Sequence, residues 1–399
     1  MTRPCALFWL WGLALWGVAH ASPDPDDFFQ PFVADSFTYD NNVYRLSPDA
    51  DPPPEGHKDD YINVASIGAN FHKILGRQVF DLKLKGDDVH YAANDILDHQ
   101  ATLDSAVWKW AQGHSWSGRI GADYRKYLAG FANTLFFNKD LLTQPGYFFD
   151  AAYAINPSWS LNGGVRWTET VHSAKARQDQ NNESVIVTGG LTYKTRREDS
   201  LGAEYRHTDG LFPDRPLPFE PGLPDNEYSE DAISGVVKYI HSPKTRFEGR
   251  AGFLQRRHAN LPERNFSGET WRMNAFWTPT AKIQLAAAAW HELQSYQEVV
   301  SNFYVSEGVK FTPAWTPTEK LLLSAELRWE TQDYQPIGVI VPGLAVRQDE
   351  LFSAQVAVTY APVRCAELSV AYQFEQRDSN RPSFPYKDDT VTGNIVLKF

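Results

Sequence analysis

The sequence predicts an all-β fold: a single closed antiparallel transmembrane β-barrel of about 18 strands, with 16 as the fallback count. Three observations carry this expectation. The chain ends with Val391, Gly393, Ile395, Leu397 and Phe399 on one side of a two-residue period; Thr392, Asn394 and Lys398 lie on the other, with Val396 the exception. A strand points alternate side chains to opposite faces, so this segment has a greasy face that closes on a terminal aromatic. Short turn signals recur about every 40 residues, the length of a barrel hairpin with its outer loop. Aromatic residues make up 14% of the chain, yet no long apolar run follows the N-terminus. That combination suits apolar positions diluted by a polar lumen at every second residue.

Taken from its start, residues Met1 to Ala21 read as a secretory signal peptide. Arg3 and the free amine give the positive start, Ala6 to Val18 the apolar stretch, and Ala19-His20-Ala21 a small-x-small cleavage site before Ser22. The apolar stretch falls short of the about 20 residues that a spanning helix needs; an uncleaved anchor is the alternative. Ser22 to Gln30 read as an acidic periplasmic tail, and residues 31–399 as one barrel domain with no room for a plug. Cys5 leaves with the signal, so the mature chain keeps Cys365 alone and has no intramolecular disulfide. The 38 basic against 49 acidic residues, a net charge of -11, argue against nucleic acid as a partner. The expected location is the bacterial outer membrane, with its lipid as the barrel's surroundings.

The short turns are Leu75-Gly76-Arg77, Gln112-Gly113-His114, Asn156-Pro157-Ser158, Arg196-Arg197-Glu198-Asp199, Ser242-Pro243-Lys244, Thr278-Pro279-Thr280, Thr316-Pro317-Thr318 and Ala361-Pro362-Val363. Pro cannot donate to a strand ladder and Gly reaches turn dihedrals cheaply, so both punctuate strands. Three of these turns share a small-Pro-small or basic pattern with a Lys close behind, an internal repeat. Between them lie longer polar stretches: Ser47 to Asp59, Asn133 to Pro145, Ser173 to Asn182, Thr208 to Glu227, His258 to Asn265, Thr331 to Arg347 and Arg377 to Asp389. Short periplasmic turns alternating with long extracellular loops is the outer-membrane arrangement, and both termini then sit inside.

Strand faces follow from the alternation. Phe80, Leu82 and Leu84 alternate with Asp81, Lys83 and Lys85, and Trp159, Leu161, Val165 and Trp167 with Ser160, Asn162 and Arg166. Phe247, Ala251 and Phe253 alternate with Glu248 and Arg250, and Leu321 to Trp329 with Ser324 to Glu330. A soluble sandwich would also alternate, pointing its polar face to bulk water. Here, aromatics gather at strand ends, which suits two interfacial girdles.

A barrel of this width can hold an aqueous channel. With Phe399 and the apolar faces outward, Arg119, Asp123, Arg125, Arg166, Glu204, Arg206, Glu248, Arg250, Glu326, Arg328 and Glu330 fall on the lumen side as pore-lining candidates. Such groups set an electrostatic profile and offer hydrogen bonds to hydroxylated or charged solutes; alternatively they form cross-strand ion pairs that merely satisfy each other. The loop bearing Phe212, Pro213, Pro216, Pro218, Phe219, Pro221 and Pro224 could fold inward as a constriction, cover the mouth, or stand out as a stiff external excursion. No nucleophile elbow, zinc motif, Cys pair or phosphate loop occurs, and the histidines share no spacing, so no enzyme activity, metal or cofactor is expected.

The opening strand, read from Pro31 to Leu46 and carrying Tyr39-Asp40-Asn41-Asn42-Val43-Tyr44-Arg45-Leu46, followed by a Pro/Asp loop, resembles the exopolysaccharide-operon outer-membrane proteins of the EpsL type, within a wider β-barrel porin group. The Pro-centred turns, Leu201 to Arg206 and the Val391 to Phe399 ending are similar in character. The resemblance implies export of a polysaccharide chain, beside periplasmic polysaccharide-export proteins, and carries over no site residues. The first expectation is therefore a passive exopolysaccharide channel. A general or small-solute porin, and a structural or adhesive barrel with a closed pore, are the alternatives. Phe399 is the expected signal to the barrel-assembly machinery.

Overall fold

The computed structural model describes residues 28–214, 227–259, 262–295, 301–336 and 345–399. The expected signal peptide, most of the expected tail and Pro216 to Pro224 of the Pro-rich loop lie outside the described residues.

The strands are β1 (Phe29–Asp40), β2 (Asp60–Leu75), β3 (Gln78–Tyr91), β4 (His99–Gln112), β5 (Trp116–Leu128), β6 (Leu141–Ala154), β7 (Trp159–His172), β8 (Asn182–Lys194) and β9 (Ser200–Leu211) in the first half. The second half holds β10 (Glu227–Ser242), β11 (Thr245–His258), β12 (Phe266–Thr280), β13 (Ile283–Ser295), β14 (Ser301–Thr318), β15 (Leu321–Pro336), β16 (Gln348–Val363), β17 (Ala366–Ser379) and β18 (Tyr386–Lys398). Each pairs antiparallel with its neighbours in the chain. β1 pairs with both β2 and β18, from Phe32↔Lys398 to Asp40↔Thr390, so the 18-stranded sheet closes with no free edge. Closure satisfies every ladder group internally, as a span through hydrocarbon demands.

The wall is inverted relative to a soluble core. Ile67, Ile233 and Val370 are 69%, 67% and 58% exposed, because their side of the wall faces lipid. Aromatics ring the short-turn end of that outer face, with Trp116 on Tyr153 at 4.8 Å and Trp159 on Tyr193 at 5.0 Å. A second girdle near the long loops pairs donors with outward carboxylates: Trp167 Nε1 donates to Glu183 and Trp329 Nε1 to Glu350, each at 2.7 Å, and the Tyr372 hydroxyl to Asp389 at 2.6 Å. Interfacial Trp and Tyr need such a wet end for the polar atom.

One sequence expectation shifts. The prolines of three turn signals are not in the turns. Pro279, Pro317 and Pro362 occupy the ends of β12, β14 and β16, and the chain reverses two or three residues later. The ladder register slips at each of them, between Trp277 and Thr280, Trp315 and Thr318, and Tyr360 and Val363. A residue without an N–H fits a bulge, where no ladder donor is required. Gly76 and Gly113, with φ of 61° and 58°, do sit in tight turns that need the left-handed region. β1 begins at Phe29, where Phe29 and Gln30 pair with Phe71 and Asn70 on β2.

Candidate channel and its constriction

Strand parity fixes the inner face. On β5, Trp116, Ile120 and Tyr124 are exposed on the lipid side, so Arg119, Asp123 and Arg125 point the other way. The same argument on β7, β9, β11 and β15 turns Arg166, Glu204, Arg206, Glu248, Arg250, Glu326, Arg328 and Glu330 inward. Most of them pair across strands. Arg119 meets Asp150 at 2.7 Å, Arg166 meets Asp123 at 2.9 Å, and Arg250 meets Glu204 at 2.9 Å. Arg206 and Arg256 share Glu230 at 3.3 and 2.8 Å, Glu248 holds Arg246 at 2.9 Å, and Lys310 holds Glu326 at 3.3 Å. Arg328 pairs with Glu330, which also accepts Ser306 and Gln332. Arg125 makes no ion pair or side-chain hydrogen bond among the described residues.

Two inward aromatics are embedded in this array. Phe148 on β6 carries the guanidinium carbons of Arg119 and Arg166 at 5.2 and 5.5 Å from its ring centroid. Trp290 on β13 carries those of Arg272 and Arg328 at 5.0 and 5.4 Å. Each ring lies flat on the wall because the facing residue is glycine: a Cβ at Gly121 would come within 2.4 Å of Phe148, and one at Gly308 within 2.4 Å of Trp290. The Trp290 Nε1 donates to Ser306 at 2.9 Å, and that hydroxyl donates to Glu330 at 2.8 Å. Alternation hid both rings from sequence reasoning. Phe148 sits inside the aromatic run Tyr147 to Phe149, and Trp290 follows the run Ala286 to Ala289.

Charge is uneven around the lumen. Along β5 to β13, the inner face carries Arg119, Arg125, Arg166, Arg206, Lys238, Arg246, Arg250, Arg256 and Arg272 against Asp123, Asp150, Glu204, Glu230, Glu248 and Glu292. Cations prevail there although the chain as a whole is acidic.

The connection between β5 and β6, Ala129 to Asp140, makes contacts far from its own strands. Its Asn133 Oδ1 accepts from Arg347 Nη2 at 3.1 Å, and its Ala132 carbonyl accepts from Arg377 Nη1. Arg347 precedes β16 and Arg377 is on β17; β18 and β1 to β4 intervene along the wall. The loop therefore reaches these partners across the lumen. The receiving arginines are held rigidly. Arg347, fully buried, meets Asp349 at 2.5 Å and lies over Phe384 at 3.8 Å and Tyr334 at 4.8 Å. On its other side the loop rests on the first external connection: Tyr44 packs at a tilt against Phe131 at 4.9 Å and meets Phe137 edge-on at 6.0 Å. Burial raises the pKa of the Tyr44 phenol, which stays neutral and donates to Asn94 at 3.1 Å.

Residues 232–399, from β10 to the end, match the family described as "Putative beta-barrel porin 2". No curated protein matches the chain in sequence. Among solved structures, it is similar to Pseudomonas aeruginosa OccK2 (OpdF), with a TM-score of 0.52 and 10% identity over 93% of this chain and 98% of that one. It is also similar to Pseudomonas aeruginosa OpdK with vanillate, with a TM-score of 0.51 and 8% identity over 93% and 99%. At such identities the likeness is one of fold. The closed 18-strand wall, its lipid-facing apolar belt and these matches together make the chain an outer-membrane β-barrel with the porin fold.

Proposed function

We propose that the protein is a passive channel, not an enzyme, for small solutes, and that it favours anionic ones such as hydroxylated or aromatic carboxylates. The crossing loop carries this reading. Clamped by Arg347 and Arg377 on one side and by Tyr44 on the other, it narrows a lumen that an extruded polysaccharide chain would need wide. The inward guanidiniums supply the selectivity: they attract carboxylates and bind them in fork geometry. Phe148 and Trp290, each flanked by two guanidiniums, add stacking faces for a ring-shaped solute. Vanillate, the aromatic carboxylate named with OpdK, is of this chemical class.

Support for the polysaccharide-export reading is confined to the opening-strand resemblance, and the small-solute alternative fits the constriction better. The pore-lining candidates are proposed as the selectivity wall, with Arg125 the one whose charge is least neutralised. Phe399, on the lipid side with its N–H donating to the Pro31 carbonyl at 2.9 Å, is the proposed contact for the barrel-assembly machinery. Planar-bilayer recording across a salt gradient tests the reading. A small conductance with a reversal potential on the anion side is expected; a large, cation-selective conductance would refute it.

A further inference from the structure

The internal repeat at the short-turn end has more in it than turn chemistry. Trp277-Thr278-Pro279-Thr280-Ala281-Lys282 recurs as Trp315-Thr316-Pro317-Thr318-Glu319-Lys320, again as Tyr360-Ala361-Pro362-Val363-Arg364, and in looser form from Tyr239 to Lys244. The backbone repeats with it. The amides of Thr278, Thr316 and Ala361 each donate to the carbonyl of the preceding turn's Lys at 2.8 Å. The Nζ of Lys244, Lys282 and Lys320 donates to the carbonyl of Pro279, Pro317 and Pro362 in the next turn, at 2.9, 2.7 and 2.7 Å. Four consecutive hairpins, β10 to β17, are thus stitched along their periplasmic edge.

We propose that this edge binds the phosphates of anionic phospholipid headgroups in the periplasmic leaflet. In every copy the aromatic ring is exposed on the lipid face of the wall, the position at which Trp and Tyr mark the boundary of hydrocarbon and headgroups. The cation follows four or five residues later and is itself exposed, so it stands one step beyond the ring, at headgroup height. Each stitched ammonium spends one of its three protons on a proline carbonyl and keeps two for a ligand. The carbonyl contact holds the ammonium in place before any lipid arrives. Charge agrees. The four turns carry Lys244, Lys282, Lys320 and Arg364 against Glu319 alone, on a chain whose net charge is -11. Continuity with the lipid-facing wall selects a headgroup as the occupant, because the cations adjoin the apolar belt and not the lumen.

The test uses the purified full-length barrel in nanodiscs of phosphatidylglycerol or phosphatidylcholine, with unfolding followed by the heat-induced shift in gel mobility. Phosphatidylglycerol is expected to raise the melting midpoint by several degrees, an increment that shrinks as salt is added. In a Lys282→Gln/Lys320→Gln/Arg364→Gln variant most of that increment should vanish, whereas melting in phosphatidylcholine should match the wild type. Glutamine removes the charge and keeps an N–H donor near the proline carbonyls, and unchanged melting in phosphatidylcholine reports that the edge is intact. A Lys282→Arg/Lys320→Arg variant should keep the increment. Equal midpoints of the wild type in the two lipids, an undiminished increment in the glutamine variant, or full reproduction of it in phosphatidylcholine by inorganic phosphate would each overturn the proposal.

Discussion

Arg272–Glu292 on the β12–β13 wall and Arg347–Asp349 at the mouth are both guanidinium–carboxylate pairs at nearly the same distance, 2.7 and 2.5 Å. Their surroundings differ. The wall pair keeps contact with water, its side chains 23% and 13% exposed, while both side chains of the mouth pair are 0% exposed. A hydrated ion pair contributes about 0–1 kcal/mol and can exchange partners with a passing solute. In a buried pair, removal of one member strands the other and costs about 3–5 kcal/mol. Burial thus divides such pairs into a responsive wall and a fixed latch that holds the crossing loop.

The largest effect should come from breaking the latch. Asp349→Ala leaves Arg347 and Arg377 without their carboxylate and is expected to destabilise the barrel by about 3–5 kcal/mol. Heat-shift melting reads the loss, and single-channel records should show a larger, noisier conductance. Gly308→Val comes next. Its side chain drives Trp290 off the wall, at a cost of about 1–3 kcal/mol, and the displaced ring should lower conductance, opposite in sign to the latch variant. Asn133→Ala removes the crossing bond from a charged donor; about 1.5–3 kcal/mol is expected for the loop, with flickering between two conductance levels and an unchanged global melting midpoint. Arg125→Gln should be the mildest for stability, within about 0.5 kcal/mol. It should nevertheless move the reversal potential toward cations more than Arg272→Gln does, since the charge of Arg272 is matched by Glu292. A larger shift from Arg272→Gln would erase the distinction between matched and unmatched cations.

The wall was legible in the sequence because lipid imposes a strict rule on it. Every second residue from Val391 to Phe399, or from Leu321 to Trp329, had to be apolar, and the short turns kept time. The rhythm also gave the strand number, even though the connections after β3 and β13 were not recognised individually. What period two does not encode was missed. The prolines at 279, 317 and 362 mark bulges, and sequence alone cannot say on which side of the turn a missing N–H is tolerated. The inward fold of residues 129–140 obeys no period either; a signal was present in Phe131, Leu135, Phe136 and Phe137, too many apolar residues for a loop in water. The latch joins Asn133 to Arg347, residues 214 apart in sequence, and no local pattern announces such a pairing.

Solute size is the most direct discriminator of a lumen narrowed by the crossing loop. Liposomes carrying the protein should swell in isosmotic solutions of a monosaccharide acid, faster than in the neutral sugar of the same size, and should not swell in oligosaccharides of more than a few rings. Equal swelling with long oligosaccharides, irrespective of charge, would contradict the account.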